Sequence, residues 1–388
     1  MHVPVWHEKL KTARDSGRIR MLGIVQEQHG ERARLFKQWK GLDWPILYDP
    51  FGHLEVTYVP IMVGIDASGI IRKLWPAGMG ADQVATEFIA AEFANEQAQA
   101  RPPAVDAEAR TLWAEAGPAR LDELIDTYRD LATQRDDDGF MHFRLGVAYR
   151  MRHDGPSRAP GDFQAAVRAW TRALEIDPNN YIWRRRLQQY GPRAAKPYPF
   201  YDWVSQARDA IRARGDSPVA LAVEPGDSEL AQPGRPTAQP DVSRDADADG
   251  RIHRDGGELI QVETTCVPAR VQPGDAVRLY VALRPRRGSQ AHWNNEVDDL
   301  EVWLQPPAAW SVTRRAHAFP NPKQALSREE RVVEIDVVVP KGTAAGRVTL
   351  PAYALYYVCE DVRGVCLYRR QDVALQVDVG EATPLAGR

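Results

Sequence analysis

Three stretches in the last third of the chain repeat with a period of two. Val277, Leu279, Val281 and Leu283 alternate with Arg278, Tyr280 and Arg284. Val333, Ile335, Val337 and Val339 alternate with Glu334 and Asp336, and Val373, Leu375, Val377 and Val379 with Gln376 and Asp378. Successive side chains of a strand point to opposite faces, so each stretch offers one apolar and one polar face. Short alternating strands broken by Pro and Gly turns predict a β-sandwich over residues 257–382. At 388 residues the chain is too long for one ordinary domain.

The other segments have different periods. In residues 1–98, "WHEKLKTARDSG" and "GERARLFKQWKG" have helical spacing and end at Gly17 and Gly41. "IRMLGIVQ", "WPILYD", "IMVGID" and "IIRKLWPAG" read as strands, the last two joined by a turn at Ala67–Gly69. A helix over "ADQVATEFIAAEFA" completes a small α/β domain with a mixed sheet. Residues 105–215 are helical, with "FMHFRLGVAYRMR" and "GDFQAAVRAWTRALEIDPNN" as a pair. The arginine run in "YIWRRRLQQYGPR" reads as a solvated face. Residues 216–256 are rich in Pro, Gly, Asp and Ser and read as a linker. Within it Asp245, Asp247, Asp249 and Gly250 imitate a calcium loop, but Gly256 stands where a bidentate Glu belongs. A flexible acidic turn is the competing reading. The fold class is multidomain α+β.

A formal net charge of −3 gives no field to attract nucleic acid or an anionic membrane. No apolar run approaches the ~18 residues of a membrane helix. The opening "MHVPVWHEKLK" contains no apolar signal region. No cofactor motif stands out.

Of three cysteines, two lie in "YYVCEDVRGVC". Cys359 ends one strand and Cys366 opens its return, so the pair spans the mouth of a hairpin, within reach of a disulfide. A metal site needs two further ligands, and neither Cys266 nor the scattered histidines supply them in sensible spacing. A staple across so short a loop stabilises by roughly 2–3 kcal/mol, yet a sandwich of this length does not require one. An exposed hairpin mouth also admits attack by a foreign thiolate. Arg363 favours a thiolate there, while Glu360 and Asp361 disfavour it, so local charge leaves staple and carrier both open. Cys266, in "VETTCVPA", reads as a buried small side chain or as a resolving thiol.

Resemblances sharpen these readings. "LDWPILYDPFGHLEVTYVPIMVGIDASGIIRKLWPAG" resembles the second half of a redoxin-type thioredoxin-like domain. This implies a cis Pro60 after Val59, facing a redox centre whose Cys-x-x-Cys half and first strand are missing. If Pro4 is the family's proline beyond the second cysteine, that motif would lie just before Met1. The domain as it stands is then not catalytic: either its start is set late or it has become a docking module. Leu145, Gly146, Tyr149, Ala166, Trp170, Ala173 and Pro178 resemble one tetratricopeptide hairpin with a lengthened turn. It reads as a spacer or a peptide groove. Residues 258–379 resemble the N-terminal, immunoglobulin-like periplasmic domain of the thiol:disulfide interchange protein DsbD family. The likeness rests on strand order, "PPAAW", "HAFPNP" and "YYVC…VC". It implies that Cys359 and Cys366 shuttle electrons, with Phe319 as the cap aromatic that shields them.

The expected function is therefore extracytoplasmic, periplasmic thiol–disulfide exchange with a thioredoxin-like protein or a protein disulfide as partner. One alternative is a non-enzymatic adaptor with a structural disulfide. Another is peroxide or disulfide reduction by a longer form of the chain.

Overall fold

The computed structural model describes residues 2–76, 85–94, 102–192, 200–226, 228–230, 245–307, 309–310, 312, 314–360 and 365–381. It divides the chain into two units that interleave in sequence. Residues 1–155, 172–185 and 201–224 form the first, and residues 156–171, 186–200 and 225–388 the second. This differs from the four consecutive segments read from composition: the helical stretch is shared between the units.

In the first unit, helices α1 (His2–Lys9), α2 (Lys11–Asp15) and α3 (Gly30–Lys40) alternate with strands β1 (Gly23–Val25) and β2 (Ile46–Tyr48). Gly41 closes α3 at φ +62°, a left-handed conformation that glycine adopts without steric cost. Strands β3 (Ile61–Ile65) and β4 (Ile71–Pro76) form the expected hairpin. Gly64 is required there, since a Cβ at this position would sit 2.7 Å from the Phe88 ring and 2.9 Å from Trp75. The mixed sheet is corrected. β1 and β2 pair parallel, β3 and β4 pair antiparallel, and the two ladders remain separate sheets among the described residues. The final helix is described only as one π turn, Ala85–Ile89; its first part lies outside the described residues.

Helices α4 (Ala107–Ala116), α5 (Leu121–Gln134) and α6 (Gly139–Asp154) follow, α6 packing on α5. The Arg144 side chain, fully buried in α6, joins them to the strand region. Its guanidinium donates to the Phe51 and Gly52 carbonyls at 3.3 Å and to Asp106 and Glu55 carboxylates at 3.0 Å. A buried cation requires this degree of satisfaction. These contacts explain why residues 1–98 and the first helices form one unit.

Two further helices run through α7 (Asp162–Ile176) and α8 (Tyr181–Gln188), and α9 (Trp203–Ala213) closes the helical part. The arginine run is not wholly solvated. Arg184 is exposed, but Arg186 is buried with its guanidinium 5.8 Å from the Trp170 ring centre.

The second unit contains a sandwich of two sheets. One has the order β12 (Arg331–Val338), β7 (Ala276–Pro285), β5 (Ile260–Val267). The other has seven strands along β10 (Ala316–Phe319), β9 (Leu300–Leu304), β13 (Gly346–Glu360), β14 (Val365–Val379) and β6 (Arg270–Val271). In it β8 (Ala291–Asn294) pairs with both β13 and β11 (Leu326–Ser327). Val277, Leu279, Val281, Leu283, Val333, Ile335 and Val337 face Val302, Leu350, Tyr356, Val358, Leu375 and Val377 in one core. Burying apolar area of this kind, at about 25 cal/mol per Å², dominates the stability of such a fold.

The polar face of the smaller sheet is buried too. The Tyr280 hydroxyl donates to the Tyr190 carbonyl at 2.6 Å and accepts from the Ser228 hydroxyl at 2.7 Å, with the Phe163 ring edge-on to it. The Arg278 guanidinium grips Asp336 at 2.6 and 2.7 Å and also Glu334.

The expected linker narrows. Gln38 binds the backbone of Ser217 and Val219, and residues 231–244 lie outside the described residues. Residues 245–258 are bound to the larger sheet. Asp245 accepts from the Tyr353 hydroxyl, and Asp247 from the N–H groups of Arg251 and Ile252 and from Arg370 at 2.8 Å. The calcium-like spacing is therefore a pinned turn, corrected from both a cation loop and a flexible one. Among the described residues no group of His, Cys, Asp or Glu is arranged to hold a metal. No helix there is long and apolar enough to cross a membrane.

Candidate functional site

Strands β13 and β14 run antiparallel over fifteen residues each, and the register sets Cys359 directly opposite Cys366. The two sulfurs are bonded, with Cα atoms 3.9 Å apart. Opposed residues share a face, and Val358 and Tyr356 belong to the inter-sheet core. The cysteines therefore stand on the outer face of the larger sheet.

Their environments differ. Over residues 358–360 β13 is hydrogen-bonded on both sides, to β14 and to β8. Cys359 is 4% exposed. Around Cys366, β14 has β13 on one side and no second strand among the described residues, and Cys366 is exposed. One residue of the bonded pair is exposed and the other is buried. Asp361 and Arg363, whose opposing charges left the pair's reactivity open, lie outside the described residues.

Two rows down the same face, Tyr357 and Tyr368 oppose each other with ring centres 4.5 Å apart. Burial raises both hydroxyls, Tyr368 to about 12, and Tyr357 donates to Asp298 at 3.4 Å. Burial also lifts the carboxyl of Glu301 on β9, which stands opposite Leu355 of β13. On the other side of Cys359, the ladder sets His292 of β8. The sequence reading missed His292 and the tyrosine pair. Their signal was positional: Ala291 and Trp293 are buried core residues, which turns His292 to the opposite face.

Phe319 is elsewhere. It pairs with Leu300, packs against the inter-sheet core and lies 5.6 Å beneath the Arg331 guanidinium. That is the face opposite the disulfide, and Ala318, paired with Glu301, takes the outer position. The expected cap is therefore corrected. Val59 and Pro60 belong to the first unit; their peptide is cis, and Val59 is 49% exposed just before β3. Residues 1–98 contain no cysteine.

Cys266 on β5 is no partner for the pair. Its N–H donates to Gln164 Oε1 at 2.9 Å and its thiol to the Pro268 carbonyl at 3.4 Å. Burial pushes that thiol up to about 12, and its strand belongs to the smaller sheet.

No protein-family model matches this chain, and no curated protein matches it. Among solved structures it is similar to a putative membrane anchored protein from Corynebacterium diphtheriae, at 10% identity and a TM-score of 0.23 over 35% of this chain and 39% of that one. It is similar to the sporulation control protein Spo0M of Bacillus subtilis, at 14% identity and 0.17 over 32% and 51%. It is also similar to the seventh ScaB type I cohesin from Pseudobacteroides cellulosolvens, at 13% identity and 0.19 over 31% and 92%. This chain thus spans only about 39% and 51% of the first two. Likenesses of this size carry no argument, and the β-sandwich stands on its own strand pairing.

Proposed function

We propose that the second unit is a thiol–disulfide carrier working through Cys359 and Cys366. The observation that supports it is the unequal exposure of a bonded pair: Cys366 is exposed, while Cys359 is buried on a strand paired on both sides. Exchange proceeds when a thiolate attacks one sulfur and expels the other. Here the outer sulfur forms the mixed disulfide and the inner one is the leaving group. A thioredoxin-like protein or a protein disulfide is the partner class, and a disulfide that persists belongs to an oxidising, extracytoplasmic compartment.

Two measurements test this. Equilibration against glutathione buffers gives the potential of the pair, which for a carrier lies well above about −300 mV and for a structural staple below it. Reduced Cys359→Ser should trap partners as mixed disulfides on Cys366, and Cys366→Ser should not. A potential below that limit, or equal trapping by both variants, returns the pair to a staple.

A further inference from the structure

Arg370 reveals which backbone groups of β14 point outward. Its N–H donates to the His253 carbonyl at 3.0 Å, and its carbonyl accepts from the Asp255 N–H at 3.0 Å. Both groups therefore point away from β13. In an antiparallel ladder such residues recur at every second position, and β14 follows β13 in unbroken register over fifteen residues. The N–H and C=O groups of Tyr368 and Cys366 accordingly point outward too. The Cα atoms of Cys359 and Cys366, 3.9 Å apart, agree with this. Such closeness belongs to opposed residues that exchange no backbone hydrogen bonds.

Along this rim, residues 253–255 pair at Arg370, and β6 pairs only at Asp378 and Val379. Among the described residues no backbone group meets Cys366 or Tyr368 on that side. The Tyr368 carbonyl accepts from the Arg369 guanidinium at 3.1 Å. The N–H groups of Cys366 and Tyr368 and the Cys366 carbonyl are left for a newcomer, beside the exposed cysteine.

We propose that this rim docks the exchange partner: an extended segment of a thiol protein adds to β14 at Cys366–Tyr368 through main-chain hydrogen bonds. The proposal rests on the carrier reading and names how that partner is held. Residues 253–255 show that the rim accepts an extended segment by its backbone, and the open positions continue that pairing toward the cysteine. The open stretch is short, which suits a partner that must leave after exchange better than a lasting edge-to-edge dimer of this chain. Once docked, the partner's thiolate attacks Sγ of Cys366 and forms a new S–S bond. The Cys359–Cys366 bond breaks, and its electron pair leaves on Sγ of Cys359. The partner's second thiolate then attacks the partner sulfur of the mixed disulfide and releases Cys366. Both released thiolates take protons from water, and the partner ends as a disulfide.

Two variants test the rim. Tyr368→Pro removes an outward N–H and spares the ladder to β13, since proline is tolerated where the N–H of an edge strand faces solvent. Tyr368→Ala removes the ring and keeps the N–H. The readout is the rate at which reduced thioredoxin reduces the oxidised full-length chain, divided by the rate with dithiothreitol, which is too small to pair as a strand. Relative to wild type, this ratio should fall roughly 10-fold in Tyr368→Pro, the worth of one hydrogen bond to the partner. It should fall much less in Tyr368→Ala. An unchanged ratio in Tyr368→Pro overturns the proposal, and so does an equal fall in both variants, which assigns docking to the ring. Sedimentation showing a wild-type dimer that Tyr368→Pro splits gives the rim to a second copy and overturns it too. Should Tyr368→Pro not fold, hydrogen exchange decides. In a mixed disulfide of Cys359→Ser with thioredoxin, the amide protons of Cys366 and Tyr368 should be protected, and exchange as fast as in the free chain overturns the proposal. The carrier reading fails separately, on the wild-type potential.

Discussion

Cys266 and Cys366 lie in one sandwich, each on a strand that alternates apolar and polar residues, yet only one is open to solvent. Cys266 pairs with Leu279 and faces the inter-sheet core, whereas Cys366 stands on the outer face of the larger sheet. The outer face of the smaller sheet is covered as well. Gln164 and Thr171 of α7 bind the backbone at Cys266 and Ala269, and Tyr280 reaches Tyr190 and Ser228. At the cysteine end of the larger sheet, the described residues leave Cys366 exposed on a strand paired on one side. Strand pairing decides which way a sulfur points. The inward sulfur is enclosed by the core, and the outward cysteine is left to solvent.

The contrast can be broken in four ways, the largest first. After reduction under native conditions, Cys366 should alkylate with iodoacetamide on the order of 10³-fold faster than Cys266, whose thiol must await local opening; similar rates would erase the distinction. Arg278→Ala, beneath the covered face, strips Asp336 and Glu334 of their buried cation and should cost about 3–5 kcal/mol in urea unfolding. Arg347→Ala removes an exposed pair with Asp378, screened by solvent, and should cost far less. Equal losses would mean that the covered face is not closed.

An acid titration probes the turn pinned to the larger sheet. Burial tends to raise the Asp247 carboxyl, but Arg370 and the N–H groups of Ile252 and Arg251 together hold it below the usual carboxylate value. A depressed folded value contributes stability above the unfolded pKa of ~3.9, and that stability is lost as the pH falls through the folded value. The gap in urea midpoint between wild type and Asp247→Asn should be full at pH 6 and shrink below about pH 4. A gap that does not change with pH would remove the ionic part of the latch. Last, Cys266→Ala should cost about 1 kcal/mol for the space it empties and leave the rate of exchange at Cys366 unaltered.

The sequence carried the inward residues of the sandwich and the hairpin that joins the cysteines, because both follow from local periodicity. It did not carry the burial of Arg278 and Tyr280, since the groups that bury Tyr280, Tyr190 and Ser228, come from distant segments. Phe319 was assigned to the wrong face because side chains alternate: a shift of one residue exchanges it with Ala318. His292 was missed because the register of β8 on β13 is a tertiary fact. The pinned turn at Asp247 imitates a metal loop because the same short carboxylates suit either a cation or a row of N–H groups.

Residues 253–255 have a further consequence. The His253 carbonyl accepts from the Arg370 N–H, and the Asp255 N–H donates to the Arg370 carbonyl. At that point β14 ceases to be a rim and becomes an interior strand. Unpaired strand rims recruit other chains into fibrils and swapped dimers, so this short crossing withdraws the middle of a fifteen-residue template from aggregation.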